Sequence, residues 1–162
     1  GKHTGLHSRA MTSPDGKIRI PINEDAGEHG QIAEYLQQYK GEGIQHVALA
    51  AQDLYASIEA LIARGVEFMP APNPIYYSRV DARLPKHGED LARLQKDGIL
   101  IDGEGLDKES KEDKLLQIFT DTVIGPIFFE IIQRKGNEGF GEGNFRALFE
   151  AIEADQIARG VI

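Results

Sequence analysis

Two side chains in this sequence have types and surroundings suited to metal chemistry: Glu130, inside the apolar run IFFEIIQR, and His46, inside IQHVALA. A carboxylate in the middle of an apolar strand is expensive to desolvate unless a cation or a metal compensates it. Beside a core arginine, Glu130 would be a structural ion pair. Beside a histidine from another apolar strand, it supplies two corners of the two-His, one-carboxylate set that holds non-haem iron. A lone strand histidine is an ordinary core residue, so the pair carries the argument. There is no cysteine. Disulfides and thiolate metal sites are excluded, and any metal here takes nitrogen and oxygen ligands.

The elements that must position this pair are legible. LLQIFT and IFFEIIQR read as two strands joined around Gly125 and Pro126, with β-branched and aromatic enrichment and turn residues between them. Alternation puts Phe128, Glu130 and Ile132 on one face and Ile127, Phe129 and Ile131 on the other. Both faces are apolar, which predicts burial on both sides. Gln117 and Phe119 share one face of the preceding strand.

Earlier in the chain, TGLHSRAM and KIRIPINE flank the turn Ser13–Gly16, with Ile18, Ile20 and Ile22 on one face and a strand Pro21 that suits an edge. A loop and a helix follow, with Ile32 and Leu36 beside Tyr35 and Tyr39. IQHVALA is then a strand, Asp53 caps a helix bearing Leu54, Ile58, Leu61 and Ile62, and VEFM returns as a strand. YYSRV opens a polar helical stretch to about Gln95, and GILID resumes a strand. DGEGLDKESKEDK reads as a charged loop without a function. The tail joins a Gly-rich loop to a helix with Asn144 as N-cap and Phe145, Leu148, Phe149 and Ile152 as its buried stripe. GNEGFGEG has no Lys-Ser/Thr and is no phosphate loop.

The formal charge of −8 and pI near 5.1 argue against a nucleic-acid surface or a polybasic membrane contact, and no apolar run spans a bilayer. The 162 residues, 41% hydrophobic, suffice for one ordinary core.

GEGIQHVAL, LLQIFT, PIFFEIIQRKG and GFGEGNFRALFE, in this order, resemble the C-terminal, iron-binding half of the 4-hydroxyphenylpyruvate dioxygenases, within the vicinal oxygen chelate superfamily. The resemblance runs over nearly the whole chain. It implies an α+β fold of βαβββ modules in a half-open mixed sheet or barrel, closed by a C-terminal gating helix. Residues 1–24 would be the later strands of a truncated module, 25–43 a loop and connecting helix, 44–134 a complete module with a helical insertion at 75–96, and 135–162 the Gly-rich loop and gate. It also implies Fe(II) on His46 and Glu130, with Ser8, Asn23, Gln31, Gln117, Phe119, Phe128, Phe140, Asn144 and Phe145 around the substrate.

The reaction so implied is oxidative decarboxylation and ring hydroxylation of 4-hydroxyphenylpyruvate by O2, giving homogentisate and carbon dioxide in the cytoplasmic catabolism of tyrosine and phenylalanine. The family's first histidine ligand sits on a strand that would precede Gly1, and His3, His7, His29 and His87 do not substitute for it. The expectation is therefore a truncated, inactive half that self-associates through an uncovered apolar patch, or that pairs with the missing N-terminal half. Three other readings stand beside it: 4-hydroxymandelate synthase, a glyoxalase-like metalloenzyme and a non-catalytic domain. Pro21 and Phe119 match the homogentisate-forming pattern, and the GFGEGNF tail argues against a glyoxalase.

Overall fold

The structure is a computed structural model that describes residues 6–25, 31–106, 108–109 and 111–160, with the backbone alone for Leu6, Asp25, Gln31, Phe149 and Glu153. His3 and His29 lie outside the described residues. The chain divides into two compact units, Gly1–Gln45 with Ile124–Ile127, and His46–Val123 with Phe128–Ile162.

In the first unit β1 (Leu6–Thr12) and β2 (Arg19–Asp25) form an antiparallel hairpin. Its turn closes by Gly16 N–H donating to the Ser13 carbonyl at 2.8 Å, and the Ser13 hydroxyl donates to Asp15 at 2.6 Å. Met11, Ile18, Ile20 and Ile22 are 50–62% exposed, so the alternation seen in the sequence produces an apolar face that the described residues of this unit do not cover. In α1 (Gln31–Tyr39) Tyr35 is buried, stacks on Tyr39 and donates to the Ile44 carbonyl at 2.9 Å.

The second unit carries β3 (His46–Ala50), α2 (Leu54–Ile62), α3 (Pro74–Ser78), α4 (Val80–Arg83), α5 (Leu91–Asp97), β4 (Leu100–Leu106), β5 (Glu112–Phe119), β6 (Phe128–Lys135) and α6 (Glu142–Ala158). Its sheet runs β3-β6-β5-β4, with β3 parallel to β6 and the other pairs antiparallel. This is the βαβββ order in an open sheet. Leu54 and Ile58 of α2, Val80, Leu84 and Leu94 of the insertion, and Ile101 and Leu116 of the sheet are sealed into one core. Asp53 caps α2 by accepting from Ala56 N–H, as its position predicts.

Several sequence expectations give way to the structure. The stretch from Asp102 to Lys114 is not simply a loop: β4 continues to Leu106 and β5 begins at Glu112. The pairing survives because its register slips between Gly103 and Gly105, and a Cβ on Gly103 (φ +121°) would collide with the Asp113 carbonyl. VEFM contributes only an isolated bridge, Phe68 to Thr120, flanked by Met69 N–H on the Phe119 carbonyl at 2.9 Å. Asn144 is not an N-cap. That position falls to Gly141 in the left-handed region (φ +77°), while Asn144 is buried in the first turn. The buried side of α6 is Asn144, Leu148 and Ala151, with Phe145 and Ile152 about half exposed, because the small Ala151 lets the helix sit close. The Phe149 side chain lies outside what is described.

Candidate metal centre

Register decides which side chains meet. His46 pairs with Phe128 and Ala48 with Glu130 across β3 and β6, while Phe119 pairs with Glu130 and Gln117 with Ile132 across β5 and β6. Strand alternation therefore places His46, Phe128, Glu130, Phe119 and Gln117 on one face of the sheet. His46 Nε2 stands 3.8 Å from Glu130 Oε2. The imidazole stacks on Phe128 with centroids 5.0 Å apart, and Phe119 meets Phe128 edge-on at 6.0 Å. These rings form an apolar wall beside two polar groups of metal-ligating type.

The electrostatics of the pair match a site that needs a cation. Burial pushes the Glu130 carboxyl up to about 7, against which the charge of Arg134 acts in the opposite direction. Burial also holds His46 below the usual imidazole range, so near neutrality the ring is neutral, the form in which an imidazole ligates a metal. Glu130 Oε1 is buried without a hydrogen-bond partner. Arg134 donates to the carbonyls of Asn137 at 3.1 Å and Gly139 at 2.6 Å. A divalent ion would give the orphaned oxygen a partner and return the carboxylate to its charged form.

Orphaned atoms extend across this region. Among the described residues, four buried side-chain polar atoms lack a partner, and three of them belong to Glu130, Gln117 (Oε1) and Asn144 (Nδ2). Gln117 lies against Gly141, where a Cβ would run into its amide, so the start of α6 approaches β5 closely. Beside Phe119, a cavity of about 320 Å³ lies between the segment Met69–Asn73, the sheet and Leu148, Ala151 and Ile152 of α6.

The remaining sequence candidates are described within their own units. Ser8 and Asn23 are exposed cross-strand partners in the first unit, joined by a 2.5 Å hydrogen bond between Ser8 Oγ and Asn23 Oδ1. The Gln31 side chain lies outside what is described. Phe140 is half-buried, with its N–H on Glu142 at 3.1 Å, and Phe145 is 49% exposed on α6. His7 lies exposed on β1. His87 is buried elsewhere, its Nε2 2.9 Å from Asp81 and its Nδ1 accepting from Glu89 N–H. Among the described residues no cluster of three or more His, Cys, Asp or Glu gathers. None of their helices is long and apolar enough to cross a membrane.

Sequence reading missed Tyr76 and Arg83, which contact Asn144, and Asp102, which pairs with Arg83. The helical insertion read as polar filler. Its one available signal was Asn73-Pro74, a cap followed by a first-turn proline ahead of two tyrosines.

The family model for the glyoxalase/bleomycin resistance protein/dioxygenase superfamily matches residues 1–101. The chain belongs to this superfamily. Within the glyoxalase/dioxygenase superfamily it is 62% identical to a 4-hydroxyphenylpyruvate dioxygenase of Pseudomonas aeruginosa, over all of this chain and 44% of that protein. It is 61% identical to Hemolysin VllY of Vibrio vulnificus, again over all of this chain and 44% of the relative. A solved mutant of 4-hydroxymandelate synthase from Streptomyces coelicolor superposes with a TM-score of 0.75 at 30% identity, covering 95% of this chain and 43% of that one. The chain spans less than half the length of these superfamily relatives, and it matches the C-terminal part of the dioxygenases.

Proposed function

We propose that this chain is the iron-carrying C-terminal part of a 4-hydroxyphenylpyruvate dioxygenase, which converts 4-hydroxyphenylpyruvate and O2 to homogentisate and carbon dioxide. The observation that carries the reading is the buried Glu130 carboxyl, with one oxygen 3.8 Å from His46 Nε2 and the other without a partner. The identity to named dioxygenases supports the same reading. His46 and Glu130 would hold Fe(II), with a third ligand from residues outside those described. When bound, the iron supplies the redox chemistry that engages dioxygen and the 2-oxo acid group of the substrate.

The protein's own share is positional. Neutral His46 offers a lone pair, and Glu130 gives up its proton when the metal enters. Phe119 and Phe128 wall off the aromatic ring, and Gln117 and Asn144 present an acceptor and a donor to polar groups of the substrate. The docked first turn of α6 keeps bulk water from this face during turnover. Ser8, Asn23, Gln31, Phe140 and Phe145 complete the proposed substrate set. In this reading residues 44–134 are one complete module with the insertion at 75–96, 1–24 are the later strands of another, 25–43 connect them, and 135–162 carry the gate.

A second reading, 4-hydroxymandelate synthase, rests on the structural neighbour and on the same ligands. Pro21 and Phe119 favour homogentisate. Product analysis of the full-length protein supplied with 4-hydroxyphenylpyruvate separates the two: homogentisate supports the proposal, and 4-hydroxymandelate overturns it. An absence of turnover by the iron-loaded full-length protein would overturn both.

A further inference from the structure

A polar network buried beneath α6 does a task that neither the fold nor the proposed ligands account for. The Tyr76 hydroxyl, on a residue 1% exposed, lies 2.6 Å from Asn144 Oδ1. It accepts from Ile101 N–H at 3.0 Å and from Arg83 Nη2 at 3.0 Å. Arg83 Nη2 also donates to the Ile101 carbonyl at 2.8 Å. That carbonyl lies 3.2 Å from the Tyr76 hydroxyl, farther than Asn144 Oδ1 at 2.6 Å, so the single Tyr76 proton goes to Asn144. Arg83 Nη1 reaches both Asn144 Oδ1 and Asp102 Oδ1 at 3.4 Å. Asp102 in turn accepts the Gly143 N–H at 2.7 Å through Oδ2, and a Cβ on Gly143 would collide with that carboxylate.

The chemistry fixes which end of the Asn144 amide faces the network. A guanidinium is a donor only, so the Asn144 atom facing Arg83 and the Tyr76 proton must be its oxygen. The amide nitrogen is left buried with no partner. Leaving a buried N–H₂ unsatisfied is costly, and the cost is recovered when a ligand oxygen arrives. An unconstrained asparagine would flip its amide to offer either an acceptor or a donor. This one is held as a donor.

We propose that Tyr76 and Arg83 are positioning residues: they lock the Asn144 amide so that it offers only Nδ2 to an oxygen of the bound substrate, while Asp102 ties the first turn of α6 to the same network. The inference deepens the reading of Asn144 as a substrate contact and rests on it for the kinetic arm of the test. Tyr76 is a better probe than Arg83, because removing its hydroxyl leaves the ring and the Arg83 stacking surface in place.

The test is a double-mutant cycle in the full-length protein with 4-hydroxyphenylpyruvate. Y76F is expected to lower kcat/KM by about three- to tenfold, the range of one well-placed hydrogen bond, with Tm held within a few degrees. In an N144A background the same change should have little further effect, because Tyr76 acts through Asn144. R83M should behave as Y76F does, and R83K should restore part of the loss. Losses that multiply in the double mutant, or an unchanged kcat/KM in Y76F, would overturn the proposal. A second readout is independent of turnover: the Asn144 side-chain amide resonances, assigned by their loss in N144A, should move in substrate-free Y76F and R83M. If they stay in place, the lock does not exist, whatever reaction the protein catalyses. If they move but the wild-type protein ignores 4-hydroxyphenylpyruvate, the lock stands and the proposed substrate falls.

Discussion

Across β3 and β6, His46 Nε2 and Glu130 Oε2 stand 3.8 Å apart on one sheet face, and the second carboxylate oxygen of Glu130 has no hydrogen-bond partner. The separation is longer than a hydrogen bond, so no direct hydrogen bond ties the imidazole to the carboxylate. Desolvation pushes the Glu130 carboxyl up to about 7, so its contribution to metal-free stability is fully present below about pH 4.5 and lost as pH rises through 7. E130Q, which stays neutral, should gain stability over wild-type metal-free protein between pH 5 and pH 8, by roughly 2–3 kcal/mol at most. Urea unfolding at the two pH values checks this, and an equal difference at both would contradict it.

The opposite sign is expected at Glu89. This carboxylate is 2.6 Å from Lys135 Nζ and 3.1 Å from Lys114 Nζ, and it accepts from Tyr55 Oη at 3.1 Å. Burial alone would raise its pKa, but the hydrogen bonds and charges of Lys135 and Lys114 outweigh burial and hold it below the usual range. The pairing therefore stabilises the fold above about pH 4.5 and is lost as pH falls through the lowered value. E89Q should cost roughly 1–3 kcal/mol at pH 7, since it leaves buried Lys114 with only the exposed Glu112 and the His87 carbonyl as partners, and much less at pH 3. Denaturant titrations at both pH values provide the comparison.

Docking of α6 depends on two glycines that leave room for side chains of the sheet. A Cβ at Gly141 would meet the Gln117 amide, and one at Gly143 would meet the Asp102 carboxylate. G143A should loosen the first turn of α6 by roughly 1–3 kcal/mol, and G141A by a similar amount with added strain at φ +77°. Hydrogen exchange should accelerate over residues 142–151 in both variants, while β5 and β6 stay protected. Unchanged protection of α6 would show that the close approach is not what docks it.

The hairpin face of Met11, Ile18, Ile20 and Ile22 should make the isolated 162-residue chain associate or precipitate. Sedimentation of wild type and an I20K/I22K variant tests this: the variant should run as a smaller species. A wild-type monomer at high micromolar concentration would argue that the face is harmless.

The legible parts of this molecule were those where alternation and residue type agree. IFFEIIQR and IQHVALA announced paired strands, and the structure brings the carboxylate and the imidazole on those strands within 3.8 Å of each other. What the sequence hid depended on tertiary partners. Gly103 and Gly105 looked like loop glycines because a strand that needs a register slip has the same composition as a loop. Asn144 looked like a cap because asparagine favours caps, yet Tyr76, 68 residues away in sequence, takes its oxygen. Phe145 and Ile152 looked like a core stripe, whereas the small Ala151 sets which side of α6 is buried. A buried tyrosine–arginine–aspartate network inside a polar insertion leaves no periodic trace.

The most direct test of the central claim is anaerobic Fe(II) titration of the full-length protein, followed by calorimetry, beside its H46A and E130Q variants and the isolated 162-residue chain. The account predicts one tight equivalent in the full-length protein, little or none in either variant, and weak binding in the isolated chain, where only two ligands are expected. Tight binding that survives both substitutions would place the metal elsewhere and contradict the account.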